Sequence, residues 1–383
     1  MEIYKKEECC GCTACKFACP VHAIDMRIDR QGFSYPEIDE EKCINCGTCK
    51  RICPWNSQEN MKQSRWPDAY AVINNDEVVR GNSSSGGAFY RVAQYILQRG
   101  GIVYGVVFDD EFRVTHVRGT CTEDVIRMQR AKYVQSDLKN IFELVKNDLL
   151  DNRDVLFTGC PCQVDGLKHY LKGCKQERLI TCDLICHGVN SPKIWMDYLS
   201  YRKKKNDILS INFRNKSKGW RTNSMHIQMN RKDYLVESSY DCFFQAFYSG
   251  VSLRPSCFSC KYARLNRIAD ITLGDFWGIE RIFPELDDNK GVSLVLINSN
   301  KGKELFLRIE ESFTKRNVEA DKCLQPSLES PRIKPKQYEQ FWSDYFSKSG
   351  FALVRRKYLN DGIKGKIKRM IKSTLIKLKL WKK

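Results

Sequence analysis

The sequence predicts a small α+β module followed by a larger α/β domain with a mixed sheet. Two observations support this division. Eight of the 19 cysteines fall within the first 53 residues in a repeated pattern. From about residue 66 onward, apolar runs of strand length alternate with segments of helical periodicity, as in α/β domains. We place the module at 1–60, two parts of the larger domain at 66–150 and 151–345, and a basic tail at 346–383.

Length and composition narrow the classes of protein that fit. A chain of 383 residues has room for two or three domains, and a polar stretch at about 56–67 reads as a boundary. No run approaches 18 apolar residues and no apolar leader is present, so we expect a cytoplasmic protein without a membrane span. Nineteen cysteines in such a protein indicate metal or redox chemistry rather than disulfides.

The first 53 residues contain two identical cysteine patterns. Each reads C-x2-C-x2-C-x3-C and is followed by proline, and the second copy lies 34 positions after the first, which indicates an internal duplication. Three closely spaced thiolates can wrap three corners of a [4Fe-4S] cluster, while the fourth reaches across to the other cluster. The predicted ligands are Cys9, Cys12, Cys15 and Cys53 for one cluster, and Cys19, Cys43, Cys46 and Cys49 for the other.

This module resembles the bacterial-type ferredoxins that carry two [4Fe-4S] clusters. The stretch from Ile24 to Ile38, with Gly32 near its middle, fits the hairpin that joins the two halves. A pair of zinc sites is the alternative, but such sites usually space their ligands as two separated CxxC pairs. Cys10 has no ligand role in this scheme and is interpreted as a bystander.

A serine- and glycine-rich loop precedes a predicted amphipathic helix in the second region. The loop spans residues 83–87, and the apolar face of the helix includes Phe89, Val92 and Ile96. Backbone N–H groups and the helix dipole at such a site favour an anion such as phosphate. The alternative is an ordinary helix cap. Neither GxGxxG nor GxxxxGK[ST] occurs, so a classical nucleotide-binding loop is not indicated.

Three further segments, together with this loop, resemble one known family. They are RAKYVQS…VLFTGCPCQ within 130–167, LITCDLICHG within 179–192, and CFSC…ADITLGDFWG within 257–278. Over roughly 66–330 they are similar to the beta subunit of coenzyme F420-reducing hydrogenase and its relatives. The resemblance implies a flavin-binding α/β domain, in which FAD lies beside a further [4Fe-4S] cluster and electrons pass between a two-electron partner and iron–sulfur carriers.

The resemblance also assigns roles to residues of this chain. A phosphate cradle would come from Ser84, Ser85, Gly86 and Gly87, and further flavin contacts from Lys132, Tyr133, Gln135, Ser136 and Asp275. The third cluster would be bound by Cys162, Cys186, Cys257 and Cys260, with Cys160 and Cys182 as rival ligands. His187 would transfer a proton as the catalytic residue. The alternatives are inert buried thiols, a hydrogen-bonded core histidine and a solvated lysine at a helix start.

These inferences predict an iron–sulfur flavoprotein oxidoreductase. It would pass electrons between the clusters and FAD, to or from a small organic substrate or an F420-like deazaflavin, with an external ferredoxin or another carrier as partner. One alternative is a non-catalytic electron-transfer subunit of a larger complex. Others are a reductase in polysaccharide or lipid-linked sugar assembly and a zinc-bearing binding protein. The sequence leaves the direction of electron flow and the oligomeric state open.

The net charge of +18 is concentrated at the C-terminal end. Residues 355–383 hold twelve Lys and Arg against a single acid, Asp361. Ile363, Ile367, Met370 and Ile371 fall on one helical face with lysines opposite, a pattern that suits an anionic membrane surface. We therefore expect peripheral contact with the inner face of the membrane and no nucleic-acid partner. The alternative is a helix that is solvated or docked on its own domain.

Overall fold

The computed structural model describes residues 4–56, 67–203 and 207–361. Most of the polar stretch at 56–67 and the predicted amphipathic tail helix lie outside these ranges. The last described helix, Gly350–Lys357, buries Val354 against the core of the larger domain. No helix in the described ranges has the length and apolar character needed to cross a membrane.

The N-terminal module consists of two short helices around a hairpin. Strands β1 (Ile24–Ile28) and β2 (Ser34–Ile38) pair antiparallel, which confirms the predicted hairpin. Helices α1 (Ala14–Phe17) and α2 (Thr48–Ile52) begin inside the two cysteine patterns. Each loop has a left-handed glycine, Gly11 at φ +68° and Gly47 at φ +71°; the counterparts in the other loop, Asn45 and Thr13, are left-handed as well.

The larger domain is built on an eight-stranded mixed sheet, as the alternation of apolar runs predicts. In chain order the remaining strands are β3 (Asp68–Asn74), β4 (Ile102–Phe108), β5 (Val114–Gly119), β6 (Val155–Gly159), β7 (Leu179–Leu184), β8 (Ile208–Asn215), β9 (Ser224–Met229), β10 (Tyr234–Glu237), β11 (Ile271–Asp275), β12 (Ser293–Ile297) and β13 (Phe313–Val318). The large sheet has the order β13-β3-β12-β11-β7-β6-β4-β5. Its four central strands β11, β7, β6 and β4 are parallel, and the outer strands pair antiparallel.

Helices cover both faces of this sheet and form a second lobe. They are α3 (Glu77–Asn82), α4 (Ala88–Gln98), α5 (Thr122–Met128), α6 (Ile141–Leu150), α7 (Pro161–Tyr170), α8 (Pro192–Lys203), α9 (Cys242–Ser249), α10 (Ile279–Ile282), α11 (Asn300–Ile309), α12 (Tyr338–Tyr345) and α13 (Gly350–Lys357). Strands β8, β9 and β10 form a separate three-stranded sheet that packs with α8, α9 and α12 around an aromatic core. In α4, Val92, Ala93 and Ile96 are buried as the periodicity predicts.

The module packs directly on the larger domain. Cys12 and Ala14 belong to the same apolar cluster as Phe142, Val164 and Leu167 of α6 and α7. The packing is close, because a Cβ at Gly166 of α7 would lie 2.6 Å from the Cβ of Cys12. The first cysteine loop is thereby brought to the carboxyl ends of β6 and β7, where ligand sites of parallel sheets form.

Candidate functional site

Two cysteine groups form within the N-terminal module. We call Cys9, Cys12, Cys15 and Cys53 the first group; they line one cavity at the boundary with the larger domain. The thiol of Cys15 interacts electrostatically with those of Cys9 and Cys53. The second group consists of Cys19, Cys43, Cys46 and Cys49; Cys19 and Cys49 lie in one small apolar cluster, against which Cys43 packs. Cys15 of the first group packs against the same apolar cluster, so the crossed ligand scheme stays a prediction.

The two groups differ in their surroundings. Burial raises the pKa of the Cys9 thiol to about 11, and burial also raises the pKa of Cys15. In the second group Cys46 is exposed, and its hydrogen bond with Thr48 Oγ1, at 3.3 Å, lowers its pKa. Buried thiolates need compensating positive charge, which the iron of a bound cluster supplies.

A third cysteine group lies where β6 and β7 end. Cys162 lies in the first turn of α7, just after β6. Cys186 follows β7, and Cys257 and Cys260 lie between α9 and β11. All four line the cavity that also holds the first group, which has a volume of about 80 Å³. The four predicted ligands are therefore brought together by separate loops of the sheet.

The two rival cysteines occupy different places. The Sγ atoms of Cys160 and Cys186 are 3.9 Å apart, and this contact lowers the pKa of Cys186 to about 7. Cys160 is therefore a direct neighbour of the third group. Cys182 lies inside β7 and is buried in the apolar core, and it does not line the cysteine cavity.

Cys10, interpreted from the sequence as a bystander, lies in the cysteine cavity with Cys12 and Cys162. Interaction with these two thiols lowers the pKa of the Cys10 thiol. The Cys10 carbonyl oxygen accepts a hydrogen bond from Gln135 Nε2 at 3.0 Å. Gln135 therefore lines the cysteine cavity and not the larger cavity described next.

A larger cavity of about 420 Å³ adjoins the cysteine cavity. Cys160, Cys186 and His187 are among the residues that line both. The larger cavity lies at the carboxyl ends of the central strands and extends to the start of α4. Its size is in the range of small-molecule and cofactor sites.

The predicted phosphate cradle lies at the edge of this cavity, with one exception. Ser84, Ser85 and Gly87 line it, and Gly87 caps α4 at φ +89° without a side-chain cap, which leaves N–H groups of the helix available to a ligand. Gly86 does not line the cavity. Its N–H donates to Ser293 Oγ at 2.9 Å, and a Cβ there would lie 2.3 Å from the Val72 carbonyl oxygen. Gly86 therefore allows close packing of the loop on the sheet.

Lys132 is neither a solvated residue nor at a helix start. It follows α5, and its Nζ donates to the carbonyl oxygens of Arg127, Met128, Gln129 and Arg130 at 2.9–3.3 Å. Burial, with a contribution from Arg130, lowers the pKa of Lys132 to about 7. The residue lines the larger cavity, but its ammonium group caps the C-terminal end of α5.

Several other predicted residues line the larger cavity within a polar network. Arg214 donates to Asp275 Oδ2 at 2.6 Å and to the Tyr133 hydroxyl at 3.1 Å. Ser136 Oγ accepts from Gln163 Nε2 at 3.0 Å. Arg214 Nε and Asn223 Oδ1 are buried polar atoms without a protein partner in the described residues. Such atoms are consistent with a polar ligand in this cavity.

His187 lies between the two cavities. Its Nδ1 is 2.8 Å from Ser327 Oγ. Burial lowers its pKa, and the nearby Arg332 guanidinium adds to this effect. A neutral imidazole beside Cys186 could hold a proton at the cavity wall.

Two arginines at these sites were missed by the sequence reasoning. Arg214 lies on β8 and Arg254 in a loop, each far along the chain from the motifs it contacts, and neither follows a recognisable spacing. In the described residues, no group of three or more His, Cys, Asp or Glu side chains lies close enough to hold a single metal ion. The four irons of a cubane spread its ligands farther apart than one ion does.

Comparisons with known proteins match two regions of the chain. Residues 152–321 match the family described as the C terminus of the coenzyme F420 hydrogenase/dehydrogenase beta subunit. Residues 8–57 and 35–82 match two 4Fe-4S dicluster domain families. No curated protein matches the chain.

A solved structure of the F420-reducing [NiFe] hydrogenase complex from Methanosarcina barkeri contains a similar chain. The identity is 16%, the TM-score is 0.47, and the similarity covers 75% of this chain and 95% of that one. Together with the family matches, the recognised motifs identify this chain as an iron–sulfur electron-transfer protein. Its residues 152–321 are related to the C terminus of the coenzyme F420 hydrogenase/dehydrogenase beta subunit, and a 4Fe-4S dicluster region lies near its N-terminal end.

Proposed function

We propose that the chain is an iron–sulfur flavoprotein oxidoreductase that binds FAD in the 420 Å³ cavity. The observation that carries this proposal is the shared wall of the two cavities. Cys186 and His187 border both the cysteine-lined space and the larger cavity, so a cluster on the third group would adjoin the ligand of the larger cavity. Electron transfer requires a short distance between the two redox centres.

The first and second groups would each bind one [4Fe-4S] cluster, called here the first and second clusters. The third group would bind a further cluster. In this assignment the exposed second cluster accepts or delivers electrons at the surface, and the first cluster connects it to the interior. The partner is a one-electron carrier of the ferredoxin type.

The residues of the larger cavity would bind and orient the flavin. FAD exchanges two electrons with an organic substrate and single electrons with clusters when it is bound. The uncapped start of α4 and the loop with Ser84 and Ser85 are suited to its diphosphate. Arg214, held by Asp275, would donate to ring oxygens or nitrogens, and His187 would hold a proton at the wall.

Cofactor analysis of anaerobically purified protein tests this proposal. About twelve irons, a matching amount of sulfide and one FAD per chain are the expected result. About eight irons without flavin would contradict both the FAD and the third cluster. Stoichiometric zinc would instead support a binding protein.

A non-catalytic electron-transfer subunit is the principal alternative. The family match to a beta subunit favours it, since a subunit passes electrons within a complex. Turnover of an organic acceptor by the isolated chain supports the enzyme, and turnover only after addition of a partner protein supports the subunit.

The acceptor itself can be tested in the same assay. An F420-like deazaflavin is one candidate, and a lipid-linked or sugar substrate near a membrane is the other, the latter motivated by the basic tail. Reduction of one class and not the other, at equal concentrations, identifies the substrate class.

A further inference from the structure

A buried arginine joins the first cysteine group to the larger domain. The side chain of Arg254 is 1% exposed and lies in the loop that leads to Cys257. Its Nε donates to the Cys9 carbonyl oxygen at 2.7 Å, and its Nη2 donates to the Ser34 carbonyl oxygen at 2.9 Å. Its Nη1 donates to Gln135 Oε1 at 2.9 Å. These bonds fix the guanidinium at the domain boundary.

The guanidinium also contacts the sulfur of a predicted ligand. Arg254 Nη2 lies 3.7 Å from Cys9 Sγ. One face of the group stacks on the Tyr35 ring, with 4.3 Å between the guanidinium carbon and the ring centroid. The Phe33 ring lies 5.4 Å away and helps to exclude water. A hydrogen bond to sulfur in such dry surroundings is stronger than the same bond in water.

The buried positive charge of Arg254 needs an anionic partner. Its hydrogen-bond acceptors in the described part of the chain are uncharged oxygens and the Cys9 sulfur. A buried cation is costly unless a negative charge lies nearby, and arginine stays protonated in proteins. The thiolates of a cluster on the first group would supply that charge.

The second group has an arginine of its own, but in different surroundings. Arg51 is exposed, and it donates to the Cys46 carbonyl oxygen at 2.9 Å and to Thr48 Oγ1 at 3.0 Å. Water and salt screen an exposed charge, so its effect on a nearby cluster is small. The two arginines therefore form a natural pair for comparison.

We propose that Arg254 raises the reduction potential of the first cluster and so offsets the penalty that burial places on an added electron. Reduction adds one negative charge to a cluster, and burial away from water disfavours that charge. A fixed cation and an N–H···S bond favour it, and both are recognised determinants of cluster potential. The first cluster then stays within reach of electrons from the exposed second cluster. This inference rests on the proposed ligand groups and does not require the flavin.

Redox titration of the full-length chain, followed by electron paramagnetic resonance, tests the proposal. The Arg254→Gln variant should reduce the equilibrium constant for reducing the first cluster at least tenfold, which is ~59 mV for a one-electron couple. The potential of the second cluster should stay unchanged. Arg51→Gln is the matched control and should shift neither couple by as much. A Cys46→Ser variant, which removes the second cluster, identifies which couple is which.

An unshifted first couple in Arg254→Gln, or equal shifts of both couples, would overturn the proposal. If Arg254→Gln loses iron, the same titration is made on Arg254→Lys. A lysine keeps the charge but cannot make all four contacts, so the equilibrium constant for reducing the first cluster should fall by less than tenfold. A larger fall, a rise, or equal shifts of both couples would overturn the proposal. Because the titration monitors iron–sulfur couples, absence of flavin would contradict the proposed function and leave this result intact.

Discussion

The two cysteine groups of the N-terminal module come from one duplicated pattern, yet they occupy different surroundings. The loop of the first group is covered by α7 and by Arg254, and Cys12 is 8% exposed. The loop of the second group is open, with Cys46 exposed and Ile44 60% exposed. Repetition of ligands therefore does not imply repetition of environment, and the environment sets potential, solvent access and coupling to the fold.

The difference in exposure suggests that the two groups have different tasks in electron transfer. An exposed cluster can meet a carrier protein at the surface. A covered cluster that shares one cavity with Cys10 and the third group can pass electrons inward. The predictions below test how far this comparison holds, beginning with the largest expected effect.

Equivalent cysteines of the two loops should differ in what their loss does to the whole fold. Cys12→Ser and Cys46→Ser should each remove about four irons. Cys12 lies in the core shared with α6 and α7, so Cys12→Ser should lower the free energy of unfolding by ~3 kcal/mol more than Cys46→Ser. Anaerobic thermal unfolding, followed by circular dichroism, measures the difference. Equal Tm losses would mean that the first group is not coupled to the larger domain.

Gly166 provides a test from the other side of the interface. A Cβ there would lie 2.6 Å from Cys12 Cβ and 2.8 Å from its Sγ. Gly166→Ala should therefore push the first loop away and cost ~2 kcal/mol of stability, with loss of the first cluster before the second. Gly81→Ala is the control, since no atom lies within 4 Å of the added methyl group, and it should leave iron content unchanged. Full iron occupancy in Gly166→Ala would contradict the packing described.

Gly11 and Gly47 are left-handed glycines, one in each loop, although they are not counterparts in the duplication. Both have φ near +70°, so alanine at either costs ~1 kcal/mol of backbone strain. At Gly11 the methyl group also lies 2.9 Å from the buried Arg254 Nη1 and 3.0 Å from the Ser34 carbonyl oxygen. At Gly47 it meets only the exposed Arg51 side chain at 3.2 Å. Chemical denaturation should show Gly11→Ala to be the less stable variant by ~1 kcal/mol; the reverse order would count against a covered first loop.

The smallest effect is expected at Thr48, which is the counterpart of Ala14 in the duplication. Thr48→Ala removes the hydroxyl next to Cys46 Sγ and makes the second loop resemble the first. Because this bond is exposed to water, the second couple should fall by less than ~59 mV, a tenfold change in its equilibrium constant. The redox titration described above measures it. A larger fall would mean that the second cluster is less solvated than the exposure of Cys46 indicates.

Much of the fold could be predicted because it depends on local patterns. The hairpin of β1 and β2, the apolar face of α4 and the mixed sheet follow from periodicity and turn residues. The roles of Lys132 and Gly86 could not be predicted, since a helix end and a neighbouring strand, both outside their motifs, determine their contacts. The proximity of Cys10 to Cys162 in the cysteine cavity could not be predicted either, because the two residues are distant in the sequence.

By itself, the sequence determined that two cysteine quartets with crossed spacing precede an α/β domain, because ligand spacing and hydrophobic period are local properties of the chain. Only the tertiary structure decided which quartet is buried, that Arg254 contacts Cys9, and that the cysteine cavity adjoins the larger one. Burial and the charge around a site depend on residues that folding brings together, and no spacing along the chain records them.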